Sequence, residues 1–221
     1  MFRVEEYIKD LTAALQEKFG HRLLCVGLQG SYLRGEATED SDIDIVVILD
    51  ALSVEDLVLY KSMIYERETP EKSCGFICGK EQLKKWNPLE VCNFLHGTKD
   101  YFGQLSNYLP QYSQDDLVNF VKLSVGNLYH EICHCFLHAD LAKNKTKLPY
   151  FYKNVFFILQ SIYYLKTGIF YPTKKTIMEN LIEADRAVME IADQIRDVGE
   201  YDFEKAFCSL FNWCQNTLKS F

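Results

Sequence analysis

The sequence predicts an α+β domain at residues 1–108, followed by an all-helical bundle domain at residues 109–221. Short apolar runs with the residue types of β-strands occur in the first half. The long segments after Pro110 have apolar residues at helical spacing instead. Because strands and helices are separated along the chain, we expect two domains joined near residues 108–113. With 221 residues, the chain is long enough to bury sizeable cores.

The elements of the first half are predicted from apolar periodicity and from residues that start or stop helices. Residues 2–19 have one apolar stripe and are followed by Gly20, which predicts a helix. The run RLLCVGL at residues 22–28 predicts a buried strand. The nearly all β-branched run from Ile43 to Leu49 predicts a strand buried on both faces. The other expected elements are a helix from Ser53 to about Arg67, a strand at CGFIC, short helices near residues 83–86 and 91–95, and a strand near residues 101–105.

Four helices are expected in the second half because its apolar residues recur at helical spacing. The triplet Lys166-Thr167-Gly168 and Pro172 mark interruptions between them. The predicted helices are residues 114–142, 149–167, 173–197 and 202–219.

Composition and charge restrict the class of protein. Apolar residues make up 48% and aromatic residues 14% of the chain, which is typical of a globular protein. The longest apolar runs are too short to cross a bilayer, and acidic residues interrupt the N-terminus where a secretory signal is apolar. We therefore expect a cytoplasmic protein with no membrane partner. The net charge of −7 argues against a nucleic-acid partner. The eight cysteines are not spaced like a disulfide framework, so we expect free thiols.

Two aspartates lie close together where the second strand begins. Residues i and i+2 of a strand point to the same face, so Asp42 and Asp44 are expected to present neighbouring carboxylates. Neighbouring carboxylates repel each other unless a cation lies between them, and Mg²⁺ prefers carboxylate and phosphate oxygens. The alternative interpretation is a polar turn that enters a strand and has no function.

The turn before the aspartates carries groups that favour an anion. Gly30 allows the backbone to approach a phosphate, Ser31 and Ser41 can donate hydroxyl hydrogen bonds, and Arg34 offers a positive charge. Because these groups occur together with the aspartate pair, the segment predicts a site for a metal ion and a phosphate.

The segment GSYLRGEATEDSDIDIVVI, residues 30–48, resembles the signature of the DNA-polymerase-β-like nucleotidyltransferase superfamily. Its form is most similar to small prokaryotic and antibiotic (aminoglycoside-type) nucleotidyltransferases, and the helix–strand–turn–strand order of residues 2–49 fits as well. The resemblance implies a nucleotidyltransferase-type mixed sheet with flanking helices. It also implies Mg²⁺ as the cofactor and ATP or another nucleoside triphosphate as the co-substrate.

The resemblance also implies roles for single residues. Asp42 and Asp44 match family residues that bind Mg²⁺, and Gly30 and Ser31 match residues that hold the triphosphate. In the implied reaction a substrate hydroxyl attacks the α-phosphorus in line while pyrophosphate leaves.

The chain departs from the family pattern at one point. Many members add a third carboxylate on a later strand, but the candidate strand CGFIC contains none, and the nearest acids are Glu71 and Glu81 at its ends. Two interpretations remain open, a site with two carboxylates and a protein whose catalysis is weak or lost.

A competing motif lies in the helical half. Residues 130–134 read HEICH, which fits the H-E-x-x-H pattern of zinc metalloproteases, and His138 continues the series on one helical face. That interpretation makes His130 and His134 zinc ligands and Glu131 the general base. The longer zinc-site patterns are absent, so a plain helical face is the favoured interpretation.

Glu131 has a second possible role. In antibiotic nucleotidyltransferases a carboxylate of the helical domain can deprotonate the substrate hydroxyl, and the resemblance makes Glu131, then Asp140, candidates for this base. Lys153 is expected at the start of a helix, as an ordinary solvated lysine or as a contact to the triphosphate.

The sequence therefore predicts a Mg-dependent nucleotidyltransferase that moves a nucleoside monophosphate, AMP from ATP, to a hydroxyl of a small-molecule acceptor, for which an aminoglycoside-like antibiotic is one candidate. The alternative is an antitoxin-type or catalytically impaired nucleotidyltransferase-like protein that modifies or binds a protein partner. The third hypothesis is a zinc hydrolase. Nothing in the sequence indicates an oligomeric state.

Overall fold

The computed structural model of the chain describes residues 2–198 and 201–221. The chain divides into two compact units, Met1–Gln111 and Tyr112–Phe221. The first unit contains α1 (Val4–Phe19), β1 (Leu23–Leu28), α2 (Gly30–Arg34), β2 (Ile43–Leu49), α3 (Val54–Tyr65), β3 (Ser73–Gly79), α4 (Lys80–Leu83), α5 (Pro88–His96) and β4 (Lys99–Phe102). The second unit contains α6 (Gln114–His138), α7 (Leu141–Thr167), α8 (Lys174–Met178), α9 (Glu183–Val198) and α10 (Phe203–Ser220).

The sheet of the first unit is mixed. Its strands lie in the order β3-β2-β1-β4. Strand β1 pairs antiparallel with both β2 and β4, whereas β2 pairs parallel with β3. A mixed sheet with flanking helices, followed by helices alone, is the fold class that the sequence predicts, and that prediction is confirmed.

Strand β2 lies in the interior of the sheet and is covered on both faces. Ile43, Ile45, Val47 and Leu49 join one apolar cluster with residues of α1 and α3. Val46 and Ile48 point to the other face and join a second cluster with Leu83 and Leu105. The predicted burial on both faces is confirmed, and its physical cause is the unbroken β-branched run. Asp44 is the one half-buried polar residue within this strand.

Helix α3 begins after Ser53, as the sequence predicts, and the structure shows that a capping box fixes this start. The Ser53 hydroxyl accepts a hydrogen bond from the Asp56 N–H, and the Asp56 carboxylate accepts one from the Ser53 N–H. The Arg22 guanidinium, just before β1, donates to Asp56 at 2.7 Å and to Asp50 at 3.1 Å. Its hydrogen bonds hold the pKa of the Asp56 carboxyl at about 2. The Arg22 side chain therefore links the first strand to α3.

Helix α7 begins eight residues before the predicted residue 149, and the prediction is wrong because Pro149 is tolerated inside the helix. Proline has no N–H, so the carbonyl of Lys145, four residues earlier, loses its helical partner. The Tyr201 hydroxyl donates to this carbonyl at 2.5 Å and replaces the missing bond. Lys153 is consequently in the interior of a helix and not at its start.

Two other helix predictions in the second unit are also wrong. The predicted helix 114–142 ends at His138, because the Asp140 carboxylate accepts from the Lys143 N–H and caps the next helix. The predicted helix 173–197 is divided between α8 and α9, and Glu183 has a φ of +40°, which is incompatible with a continuous helix. The Ile182 N–H donates to the Tyr163 hydroxyl at this break.

Two predictions about the whole chain can be compared with the structure. All eight cysteines are free thiols, as their spacing predicts. Within residues 2–198 and 201–221, no helix combines the length and the hydropathy that crossing a membrane requires.

Candidate active site

The connection between β1 and β2 is a one-turn helix between two glycines. After β1, the Gln29 N–H donates to the Asp44 carbonyl at 2.8 Å, which holds the end of one strand against the start of the next. Gly30 then turns the chain into α2 with a φ of +71°, and Gly35 ends α2 with a φ of +70°. Both positions favour glycine because side chains rarely tolerate such φ values. The sequence predicts a turn here, and the structure makes it a short helix.

Gly30 also lies directly against the side chain of Asp44. A Cβ atom placed on Gly30 lies 1.8 Å from the Asp44 Oδ2 atom and 2.7 Å from its Cγ atom, which is impossible for real atoms. A Cβ atom on Gly35 meets nothing within 4 Å. From the sequence, the glycine at position 30 is explained by the close approach of a phosphate to the backbone. The structure adds that glycine is needed for the Asp44 carboxylate to occupy its position.

Asp42 lies close enough to Asp44 to affect the ionisation of the Asp44 carboxyl. Asp42 is exposed just before β2, and Asp44 is half-buried within it. Burial raises the pKa of the Asp44 carboxyl, and the negative charge of Asp42 raises it further, whereas the nearby Arg34 charge and a hydrogen bond with Cys74 act in the opposite direction. Such a pair of carboxylates is stabilised by a divalent cation, and its oxygen donors fit a hard ion such as Mg²⁺.

Cys74 is the residue that the sequence interpretation missed. Strand β3 carries no carboxylate between Ser73 and Gly79, and its residue opposite Asp44 in the parallel register is Cys74. This thiol is exposed and lies close enough to the Asp44 carboxylate to lower its pKa. The strand on which a third carboxylate was sought therefore presents sulfur to the aspartate pair. Only the register between β2 and β3 identifies Cys74, because the sequence around it resembles an ordinary strand.

The other predicted site residues occupy different positions around the turn. The Arg34 guanidinium donates to the Glu36 carboxylate at 2.8 Å and lies near enough to Asp44 to favour its ionised form. Ser31 lies in the single turn of α2, next to Gly30. The Ser41 hydroxyl accepts from the Thr38 N–H at 2.9 Å, so in this structure it stabilises the loop before the aspartates.

Glu131 belongs to the second unit, where it is exposed on α6. Its role as a general base stays a prediction. The neighbouring His130 and His134 are also exposed, and their ring centroids are 6.0 Å apart. Across the part of the chain that the structure describes, no three or more His, Cys, Asp and Glu side chains are grouped so that they could hold a metal. Among the described residues, His130 and His134 therefore have no third side chain beside them to complete the zinc site of the zinc-hydrolase hypothesis.

Comparison with known families finds a match within the first unit. Residues 8–91 match the model of the nucleotidyltransferase domain family. The matched segment includes α2, β2 and β3, and so it contains the aspartate pair, the Gly30 turn and Cys74.

Two curated relatives match short segments of the chain. A putative protein adenylyltransferase from Methanocaldococcus jannaschii is 46% identical over 46 residues, which is 21% of this chain and 46% of that protein. The protein adenylyltransferase MntA from Thermococcus cleftensis is 52% identical over 50 residues, 21% of this chain and 48% of the relative. The matched part is thus about half the length of each of these relatives.

One solved structure is similar over nearly the whole chain. The crystal structure of spectinomycin adenyltransferase AAD(9) from Enterococcus faecialis, with ATP and spectinomycin, has a TM-score of 0.61 and 16% sequence identity. The similarity covers 97% of this chain and 99% of that one. At this level of identity the similarity establishes the fold.

Proposed function

We propose, from the premise that residues 8–91 form a nucleotidyltransferase domain, that this protein transfers AMP from ATP to a hydroxyl group of an acceptor. The observation that carries the proposal is the contact between the Gly30 turn and Asp44, with Asp42 beside it at the start of β2. A half-buried carboxylate whose pKa is raised by burial and by a neighbouring carboxylate, as for Asp44 beside Asp42, is typical of sites that hold a cation.

The residues of the first unit have distinct roles in this proposal. Asp42 and Asp44 hold Mg²⁺, which when bound offsets the negative charge of the triphosphate and makes the α-phosphorus more electrophilic. Gly30 and Ser31 contact the triphosphate, and Arg34 contributes positive charge near it. Ser41 keeps the loop before the aspartates in place.

The proposed reaction balances without a further reactant. The acceptor oxygen forms a bond to the α-phosphorus, the bond between the α- and β-phosphates breaks, and pyrophosphate leaves. The proton of the acceptor hydroxyl passes to a base, for which Glu131 is the candidate in the helical unit. Two carboxylates and the Cys74 thiol form the site, so we infer that the reaction proceeds without a third carboxylate.

The first candidate for the acceptor is a hydroxyl-bearing small molecule. The support is the fold, because spectinomycin adenyltransferase AAD(9) shares it over nearly its whole length. The second candidate is a protein, since both curated relatives are named protein adenylyltransferases. Eight free thiols favour the reducing cytoplasm as the compartment.

The experiment that tests the proposal uses ATP labelled on its α-phosphate. The protein is incubated with Mg²⁺, labelled ATP and two sets of acceptors, small hydroxyl compounds that include aminoglycoside-like antibiotics, and proteins from cell extracts. We expect label on an acceptor, separated from ATP by size or chromatography, and no label with the Asp44→Asn variant. Label that transfers equally well with Asp44→Asn would contradict the proposed site, and label on proteins alone would select the second acceptor.

A further inference from the structure

The second unit contains a groove of about 620 Å³ between helices α6 and α7, which we call the α6–α7 groove. His130, Glu131 and His134 of α6 line one wall, and Lys147 and Tyr150 of α7 line the other. Binding sites for small molecules typically have volumes of about 300–1,000 Å³. The groove is therefore large enough for a metabolite-sized ligand.

Helix α7 is positively charged, and one of its lysines, Lys147, lines the groove. The helix carries five lysines and no acidic residue, although the whole chain has a net charge of −7. The Lys147 ammonium donates to the Cys135 sulfur at 3.7 Å, and sulfur is a weak acceptor. Within the described residues no carboxylate forms an ion pair with Lys147. Its charge is consequently available to an anionic ligand.

The opposite wall adds hydrogen-bond donors. His130 and His134 lie one helical turn apart with their rings 6.0 Å apart and inclined by 30°, and both side chains are exposed. Each imidazole has at least one N–H to donate. Glu131 is the single carboxylate among the lining residues and can accept a hydrogen bond from a hydroxyl or an amine. The wall thus presents two donors and one acceptor.

An aromatic surface lies beside these polar groups. The Tyr150 side chain is 61% exposed, and Phe151 lines the groove next to it. The Lys153 ammonium lies 5.3 Å from the centre of the Tyr150 ring. An exposed tyrosine ring next to lysine ammonium groups suits a flat ligand that stacks on it and carries negative charge.

We propose that the α6–α7 groove binds a small molecule that combines an anionic group with an aromatic ring. Lys147 pairs with the anion, the two histidines donate hydrogen bonds to it, and Tyr150 stacks against the ring. The proposal does not depend on the transfer reaction, because it concerns binding to the second unit and is tested by binding alone.

Isothermal titration of the full chain with phenyl phosphate tests the proposal, with inorganic phosphate and benzylamine as comparison probes. We expect phenyl phosphate to bind more tightly than inorganic phosphate, and benzylamine not to bind. Lys147→Gln is expected to weaken phenyl phosphate binding about tenfold, the usual effect of losing a charge-assisted hydrogen bond. Glu131→Gln, which removes negative charge from the groove, is expected to strengthen binding about threefold.

Lys219→Gln is the matched control, because Lys219 is an exposed lysine of the same unit and does not line the groove. Its binding of phenyl phosphate should equal that of the wild type, and circular dichroism should show that all three variants are folded. Equal binding by Lys147→Gln and Lys219→Gln would overturn the proposal, since any phenyl phosphate then binds elsewhere on the chain. Preference for benzylamine would overturn the assigned charge of the ligand.

Discussion

The contact between Gly30 and Asp44 leads to the sharpest prediction, which compares Gly30→Ala with Gly35→Ala. The two glycines flank the same short helix and have nearly equal φ values, +71° and +70°. An alanine at either position has a similar backbone cost, about 1 kcal/mol. The two variants therefore differ in what the new methyl group meets.

The methyl group of Gly30→Ala overlaps the Asp44 carboxylate, whereas that of Gly35→Ala enters open space. The Asp44 Oδ2 atom has to retreat from 1.8 Å to the 3.4 Å of ordinary contact. A displacement of about 1 Å in a catalytic group can cost about a hundredfold in rate. Because a carboxylate end can rotate away, the loss should appear in activity more than in stability.

Measurements of transfer rate and thermal unfolding on both variants check this reasoning. Transfer of labelled AMP should fall about a hundredfold or more in Gly30→Ala and stay within about threefold of wild type in Gly35→Ala. Both variants should lose a similar few degrees of Tm, as expected for about 1 kcal/mol. Equal transfer rates in the two variants would refute the importance of the Gly30–Asp44 contact.

Three further predictions concern charge. Asp44→Asn should raise the Tm of the metal-free protein at neutral pH, because a carboxyl whose pKa is raised in the folded state destabilises that state once it ionises. The same variant should abolish the Tm gain that Mg²⁺ with ATP produces in wild type. Cys74→Asp adds a third negative charge opposite Asp44, so it should lower the Tm of the metal-free protein and tighten Mg²⁺ binding measured by titration. The control variant Cys74→Ser should change the Tm and the Mg²⁺ affinity little. The Asp56 carboxylate, paired with Arg22, has its pKa lowered from 3.8 to about 2, so its stabilising effect is complete above the ordinary value and is lost as the pH falls toward 2. The Tm advantage of wild type over Asp56→Asn should therefore be constant at neutral pH and shrink in acid, and an advantage that grows in acid would contradict this pairing.

The features predicted well from the sequence depend on neighbours along the chain. Ile43–Leu49 is a strand as predicted, because an unbroken β-branched run favours one structure. The start of α3 follows from Ser53 and Asp56, which are three residues apart and cap each other. In both cases the deciding interactions are local.

The features that sequence reasoning missed depend on distant partners. Pro149 suggests a helix boundary, but the Tyr201 hydroxyl, contributed from far along the chain, satisfies the carbonyl that proline leaves free. Cys74 becomes part of the candidate site only through the parallel register that sets it opposite Asp44. The need for glycine at position 30 likewise follows from a side chain on another strand. None of these partners is marked by spacing or residue type.

The aspartate pair and the Gly30 turn are proposed to form a site that transfers AMP. Pyrophosphate release from ATP, GTP, CTP and UTP, measured with Mg²⁺ and a panel of acceptors, tests it most directly. We expect acceptor-dependent release that is greatest with ATP and disappears in Asp44→Asn. Release that persists in this variant, or no nucleotide binding under any of these conditions, would contradict this assignment of the site.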